Sequence, residues 1–351
     1  MARATITAID GGITAPQGFR ASGIACGIKP SGRPDLAIVA AERPVPAAAI
    51  FTTNQAKAAP LLVSQEHLER SEGASQVIVT NSGCANACTG PQGLADAREM
   101  TELTADHLGC VPTHVLVAST GVIGVNLNMD ALRGGIPAAI AQLARDRDGD
   151  AARAIMTTDP FPKAHAVEVV TSAGTFRVGG MAKGSGMIEP RMATMLGYLT
   201  TDADVEPLVL RRALVDASRY TFNAITVDGE SSTNDSVFAL ASGASGVRID
   251  DEHYSALFEG FRAVAHNLSL DIVRGGEGAT KTIAITVSGG RTEDEAWTAA
   301  RVIANSLLVK TAIHGGDPNW GRLVAAAGRA GVTFSLDNAT VRIGSLVLFS
   351  G

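Results

Sequence analysis

The stretch Gly179-Gly-Met-Ala-Lys183-Gly-Ser-Gly-Met-Ile-Glu189-Pro-Arg-Met-Ala193-Thr194-Met-Leu196 gathers glycines around one lysine, then passes a proline and a small-residue pair into a β-prone run. A threonine hydroxyl is a weak nucleophile unless a base stands beside it, and an N-terminal threonine carries that base as its own α-amine. Such an amine titrates at about 7.7–8.0, close to working pH. Breaking the bond before Thr194 would therefore create a nucleophile and its base in one residue. Glycines flanking Lys183 permit close backbone approach, and Ala193 leaves room for a bend. Read alone, the same stretch is also an ordinary surface loop entering a strand.

Other chemistries lack their local patterns. The histidines at 67, 107, 114, 165, 253, 266 and 314 include no pair spaced three or four apart, as a helical metal site would need. Cys26, Cys84, Cys88 and Cys110 supply only one close pair and read as free, mostly buried thiols. Neither a G-x-S-x-G elbow nor a G-x-G-x-x-G turn between strand and helix occurs. Gly275-Gly-Glu-Gly-Ala-Thr280-Lys281-Thr282 resembles a phosphate loop, but Thr280 replaces the glycine before the lysine. No metal and no cofactor are expected.

The elements that must position these residues follow from patterning over 351 residues, 46% hydrophobic and 18% charged, a globular composition. The net charge of −6, without a run of Lys and Arg, argues against nucleic acid as a partner. Uncharged apolar stretches such as 115–125 are too short for a bilayer span, so no membrane association is expected. The N-terminus shows neither a secretory nor a transit pattern, which makes the cytoplasm the expected location. Strands are predicted at 35–41, 48–53, 76–81, 114–119, 166–171, 175–178, 281–287 and 346–349. Helices are predicted at 94–108, 130–145, 205–218, 252–268 and 292–308, the last opened by a Thr292…Glu295 capping box. Their uneven alternation favours α+β layered sheets with helices outside over a doubly wound fold.

The segment from Lys183 to Leu196 closely resembles the self-cleavage and nucleophile segment of the ornithine acetyltransferase family, the bifunctional glutamate N-acetyltransferases of arginine biosynthesis. Further blocks agree in order: Asn81-Ser-Gly-Cys-Ala-Asn-Ala-Cys-Thr-Gly90, Ala118-Ser-Thr120-Gly121-Val-Ile-Gly124, Ala154-Ile-Met-Thr157-Thr158-Asp159, Ser232-Thr-Asn-Asp235, Gly276-Glu277-Gly-Ala-Thr-Lys281 and Asp317-Pro-Asn-Trp-Gly-Arg322. The likeness runs from about residue 10 to the end.

The resemblance implies an αββα sandwich and cleavage between Ala193 and Thr194, giving an α chain of 1–193 and a β chain of 194–351 in one intertwined catalytic fold, assembled as an (αβ)₂ heterotetramer. It implies acetyl transfer from N-acetylornithine to glutamate through an acetyl-Thr194 intermediate in ping-pong order, with acetyl-CoA-dependent synthesis of N-acetylglutamate as a further activity of bifunctional members. Thr120 and Gly121 would hold the oxyanion. Lys183 would meet a substrate carboxylate, Glu277 an ammonium group, and Thr157 would add a contact.

Cys84 stands where the family often has Asn, Glu189 and Arg191 lie in a variable part of the cleavage segment, and Gly275 stands where Asp often precedes Gly-Glu-Gly. The family also continues beyond the 346–349 strand to a segment whose Asn and last hydroxyl residue reach the substrate, whereas this sequence runs to Gly351. The alternatives kept open are a paralogous acyltransferase, an amidase or aminopeptidase using the same threonine, and a C-terminally truncated inactive member.

Overall fold

The computed structural model describes residues 4–189 and 195–351. Ala193 and Thr194 lie outside the described residues. By contacts the chain forms two compact units, Met1–Ile225 with Glu230–Glu277, and Thr226–Gly229 with Gly278–Gly351.

The first unit contains β1 (Thr5–Ile9), β2 (Phe19–Ile24), β3 (Leu36–Phe51), α1 (Ala59–Arg70), β4 (Ala74–Cys84), α2 (Gly90–Leu108), β5 (Val115–Val122), α3 (Met129–Ala141), α4 (Asp148–Ala154), β6 (Lys163–Thr171), β7 (Gly174–Lys183), β8 (Leu196–Thr201), α5 (Pro207–Arg219), β9 (Ser236–Ala241) and α6 (Tyr254–Arg274). Its organising element is β3, 16 residues long. The first part of β3 pairs with β2 and β4, and the last part, 47–51, pairs with β9. Between them the register breaks at 40/45, where Glu42, Arg43 and Pro44 are exposed. Pro44 cannot donate to a ladder, so an interruption falls there at low cost. The hydrogen-bonded order is continuous, β1-β6-β7-β8-β9-β3-β4-β5 with β2 also on β3, and β3 thereby serves two sheet layers, β2-β3-β4-β5 and β1-β6-β7-β8-β9-β3.

The two sheets enclose a shared core that includes Val39, Ile78 and Leu116 from one and Met181, Tyr198, Phe238 and Leu240 from the other. Tyr198 and Thr80 share a buried hydrogen bond of 2.8 Å across it. The opposite face of the first sheet packs on α1, α2 and α3, with Leu36, Val77, Val79, Val117, Met100 and Leu132 in contact. Helices α5 and α6 cover the other sheet. This is the layered arrangement with helices outside that the element pattern favours, and the αββα sandwich that the resemblance implies.

Local chemistry sets the element ends. Helix α2 has Pro91 in its first turn and ends at Gly109, which takes φ +77° and returns its N–H to Ala105 O. Strands β8 and β9, LGYLTT and SVFALA, run parallel and are buried throughout. Neither is predicted from sequence, whereas the equally buried 36–41 and 115–119 are; in β8 Gly197 interrupts the apolar run.

The second unit holds α7 (Glu293–Ala304), α8 (Leu307–His314), α9 (Trp320–Gly328), β10 (Thr340–Ile343) and β11 (Leu346–Ser350). Ile303, Val309 and Ala326 form its small core. Half of the expected capping box is seen: Thr292 Oγ1 accepts from Glu295 N–H at 3.2 Å, while Glu295 Oε1 accepts from Arg291. The helix expected over 292–308 breaks in two, because Ser306 caps a new helix through Val309 N–H. The strand expected at 281–287 is absent: no described strand pairs with that segment, and an alternating pattern without a partner makes no ladder. Of the four cysteines only Cys84 is buried; Cys26 and Cys110 are intermediate and Cys88 is exposed.

Candidate active site

Strand β5 ends in Ser119-Thr120-Gly121, and three sequence blocks meet to fix that turn. Ser119 Oγ donates to Asn81 Oδ1 at 2.6 Å, and Asn81 Nδ2 donates to Cys84 O at 2.9 Å. Asn234 Nδ2 donates to both Ala85 O (2.6 Å) and Ser119 O (2.8 Å). Buried amides and hydroxyls satisfied in this way specify one geometry, because any alternative leaves a polar group unpaired. Gly121 pairs with Gly83 and sits at φ +132°. A Cβ there would lie 2.3 Å from Gly83 C and 2.6 Å from Cys84 N. Gly121→Ala is therefore expected to cost at least about 1–3 kcal/mol of strain and to displace the turn. Thermal unfolding and transfer rate of the variant check this; a variant matching the parent in both would contradict the crowding argument.

Thr120 is buried, and its Oγ1 accepts a hydrogen bond from Lys183 Nζ at 3.2 Å. Lys183, the last residue of β7, is 8% exposed. Burial pulls its ammonium below the usual lysine range, with Asp159, Asp235 and Glu277 opposing the shift and Lys163 adding to it. The lysine is thus surrounded by three carboxyl groups and a second cation.

Asp159 joins two strands of this arrangement. Its Oδ1 accepts from Lys163 Nζ (2.6 Å) and Gly184 N–H (2.7 Å), and its Oδ2 accepts from Thr157 N–H (3.0 Å). The Asp159 and Lys163 side chains are both 0% exposed. Burial pushes the Asp159 carboxyl up, but the Lys183 and Lys163 charges and the donated hydrogen bonds outweigh it and hold the group below the ordinary aspartate value. One carboxylate thereby sets Thr157, itself half-buried, against the Lys183–Gly184 strand end.

Glu277 follows the end of α6. Its N–H donates to Ser185 O at 2.9 Å, while Ser185 Oγ donates to Gly275 O at 2.6 Å. Its carboxylate lies over Gly186, where a Cβ would meet Glu277 Cδ at 2.8 Å. The glycines around Lys183 are thus used for close approach, as their placement suggests.

The residue after Thr194 is described. Met195 is buried, its carbonyl accepts from Ser236 N–H at 3.0 Å, and Leu196 pairs with Lys183. The neighbouring Asp235 is 2% exposed, and its Oδ2 has no hydrogen-bond partner among the described residues. Burial raises its carboxyl well above the aspartate range, against hydrogen bonds from Ser232 and the Lys183 charge. Thr120, Gly121, Thr157, Lys183 and Glu277, chosen from sequence, therefore gather in one region of the first unit. Asp159, Lys163, Asn234 and Asp235 were not singled out. Each sits in or beside a recognised block, but nothing in residue type or spacing tells a buried network from a surface charge.

A two-sheet αββα protein with a buried lysine among carboxylates at the strand ends is the class that fold and site define. Residues 20–351 match the ArgJ family. The arginine biosynthesis bifunctional protein ArgJ of Symbiobacterium thermophilum is 48% identical over 341 residues, covering 96% of this chain and 84% of that protein. The protein of the same name from a Synechococcus species is 49% identical over 352 residues, covering 99% and 84%. Among solved structures, Bacillus halodurans ArgJ is 40% identical with a TM-score of 0.52, covering 54% of this chain and 99% of that one. Ornithine acetyltransferase from Mycobacterium tuberculosis, complexed with ornithine, is 42% identical with a TM-score of 0.50, covering 54% and 100%. The chain belongs to the ArgJ family and is an acetyltransferase.

Proposed function

We propose that this chain cleaves itself between Ala193 and Thr194 and then transfers acetyl from N-acetylornithine to glutamate through acetyl-Thr194. The observation that carries the reading is the Lys183–Thr120 hydrogen bond, set among Asp159, Asp235 and Glu277, at the strand end that pairs with Leu196. Position 193/194 falls between β7 and β8, which are adjacent strands, so both products of cleavage would keep a strand in one sheet.

In the first half-reaction Thr194 Oγ attacks the acetyl carbonyl of N-acetylornithine and its proton passes to the Thr194 α-amine. The tetrahedral oxyanion takes hydrogen bonds from Thr120 and Gly121. Donors placed where such charge develops contribute about 2.7–4 kcal/mol apiece to the rate. Collapse breaks the C–N bond, the α-amine returns the proton to the leaving ornithine amine, and acetyl remains on Oγ. Glutamate then attacks the ester through its own amine by the same steps in reverse. Lys183 meets the substrate carboxylate, Glu277 an ammonium group, and Thr157 adds a polar contact. The mature protein is an (αβ)₂ heterotetramer in this reading, in the cytoplasm.

The test combines intact mass under denaturing conditions with an acetyl-transfer assay. Two masses matching 1–193 and 194–351, with one ornithine per site released without glutamate and continued release dependent on glutamate, are the expected result. A single full-length mass would defeat the reading, and continued turnover in water without glutamate would favour an amidase.

A further inference from the structure

The segment that carries Thr157 leaves the end of α4 through Ile155 and Met156, and two side chains from elsewhere hold carbonyls at that exit. Ser82 Oγ donates to Ala154 O at 2.5 Å, and Lys29 Nζ donates to Met156 O at 2.7 Å. Lys29 Nζ also donates to Pro34 O at 2.7 Å, and the residue is 8% exposed. Its stem lies over Gly83, where an added Cβ would come 2.9 Å from Lys29 Cγ. Gly83 is the partner of Gly121. One side chain thus touches both the exit that presents Thr157 and the strand that backs the Thr120–Gly121 turn.

The loop that delivers Lys29 is built for the purpose. The buried carboxylate of Asp35 accepts N–H bonds from Cys26 (2.7 Å), Gly27 (3.2 Å), Ile28 (2.7 Å) and Lys29 (2.8 Å). Gly27 supplies the positive φ, +100°, that lets four successive amides converge. Burial, then the Arg33 charge, lowers the Lys29 ammonium to about 8, while Asp35 and Asp159 oppose and Lys183 adds to the shift. The lysine lies within the electrostatic field of the site.

We propose that Lys29 is a positioning residue for acetyl transfer: its ammonium fixes the Met156 carbonyl and its stem backs the Gly83–Gly121 pair, so that Thr157 and the Thr120–Gly121 turn keep their spacing around a bound amino acid. This rests on the reading of Thr157 as a substrate contact. Lys29→Met retains the stem and removes the donor. It takes a nearby charge from buried Asp35, whose four amide hydrogen bonds remain.

Steady-state kinetics, intact mass and thermal unfolding are measured on the full chain carrying Lys29→Met, Lys29→Gln, Lys29→Arg, Thr157→Val or the Lys29→Met/Thr157→Val pair. The expected result is an approximately tenfold rise in KM for N-acetylornithine in Lys29→Met, with kcat within about twofold and processing intact. Lys29→Arg should recover part of that loss. The double variant should fall short of the product of the two single effects, as residues acting through one another do. An unchanged KM in Lys29→Met, a loss confined to kcat, fully multiplicative single effects, or failure of both Lys29→Met and Lys29→Gln to fold would overturn the proposal. If Thr157→Val itself leaves KM unmoved, the substrate-contact reading falls and this inference with it. A KM effect in Thr157→Val beside a silent Lys29→Met overturns the inference alone.

Discussion

Thr194→Ala is expected to yield one unprocessed 351-residue chain and to lower acetyl transfer by a factor on the order of 10⁴–10⁶, the scale seen when a hydroxyl nucleophile is removed. Alanine has no hydroxyl to attack the preceding carbonyl and none to carry acetyl, so both events fail together. Thr194→Ser separates them from mere loss of side-chain volume, because serine keeps the hydroxyl. Intact mass and initial rate are the measurements. Two fragments from the alanine variant would show that Thr194 does not cut the chain, and residual transfer near the parent rate would show that it does not carry acetyl.

Asp159→Asn should carry the largest stability effect. Lys163 and Asp159 are both fully buried and bonded at 2.6 Å. Removing one member of a buried pair leaves the other charge uncompensated, a loss of about 3–5 kcal/mol. Gly184 and Thr157 lose their shared carboxylate at the same time, so transfer should fall with stability. Adding Lys163→Met to Asp159→Asn removes the stranded cation; stability should return in part, transfer should not.

The pH dependence has a definite sign. Because Asp159 is held below its ordinary value, its contribution is present above the unfolded aspartate pKa of about 3.9 and is lost as pH falls through the lower folded value. The stability gap between parent and Asp159→Asn should be constant from pH 7 to about 5 and should narrow below about 4. Denaturant titrations across that range measure it, and a gap that widens on acidification would assign the pair a different role.

Only the family resemblance carried Thr120, Gly121, Thr157, Lys183 and Glu277 onto this chain; read alone, Lys183 and Glu277 look like solvated charges and Ser119-Thr120-Gly121 like a polar turn. The fold gathers the five in one region, and the φ of +132° at Gly121 beside Gly83 is a feature of the structure. Half-buried elements were legible in the chain, as in α2 and in the strands that alternate. Strands β8 and β9 were not, although the equally buried 36–41 of β3 and 115–119 of β5 were; in β8 Gly197 breaks the apolar run.

The sequence by itself determined the family likeness, the layered α+β class and the residue types available for acyl transfer. Only the tertiary structure decided that Asp159 ties Thr157 to Gly184, that Lys29 reaches across 127 positions to Met156, and that Asp235 is buried beside Ser236. The physical reason is that a charge in sequence looks the same whether solvated or buried. Its hydrogen bonds, and the direction in which its pKa moves, are set by groups brought near from distant parts of the chain.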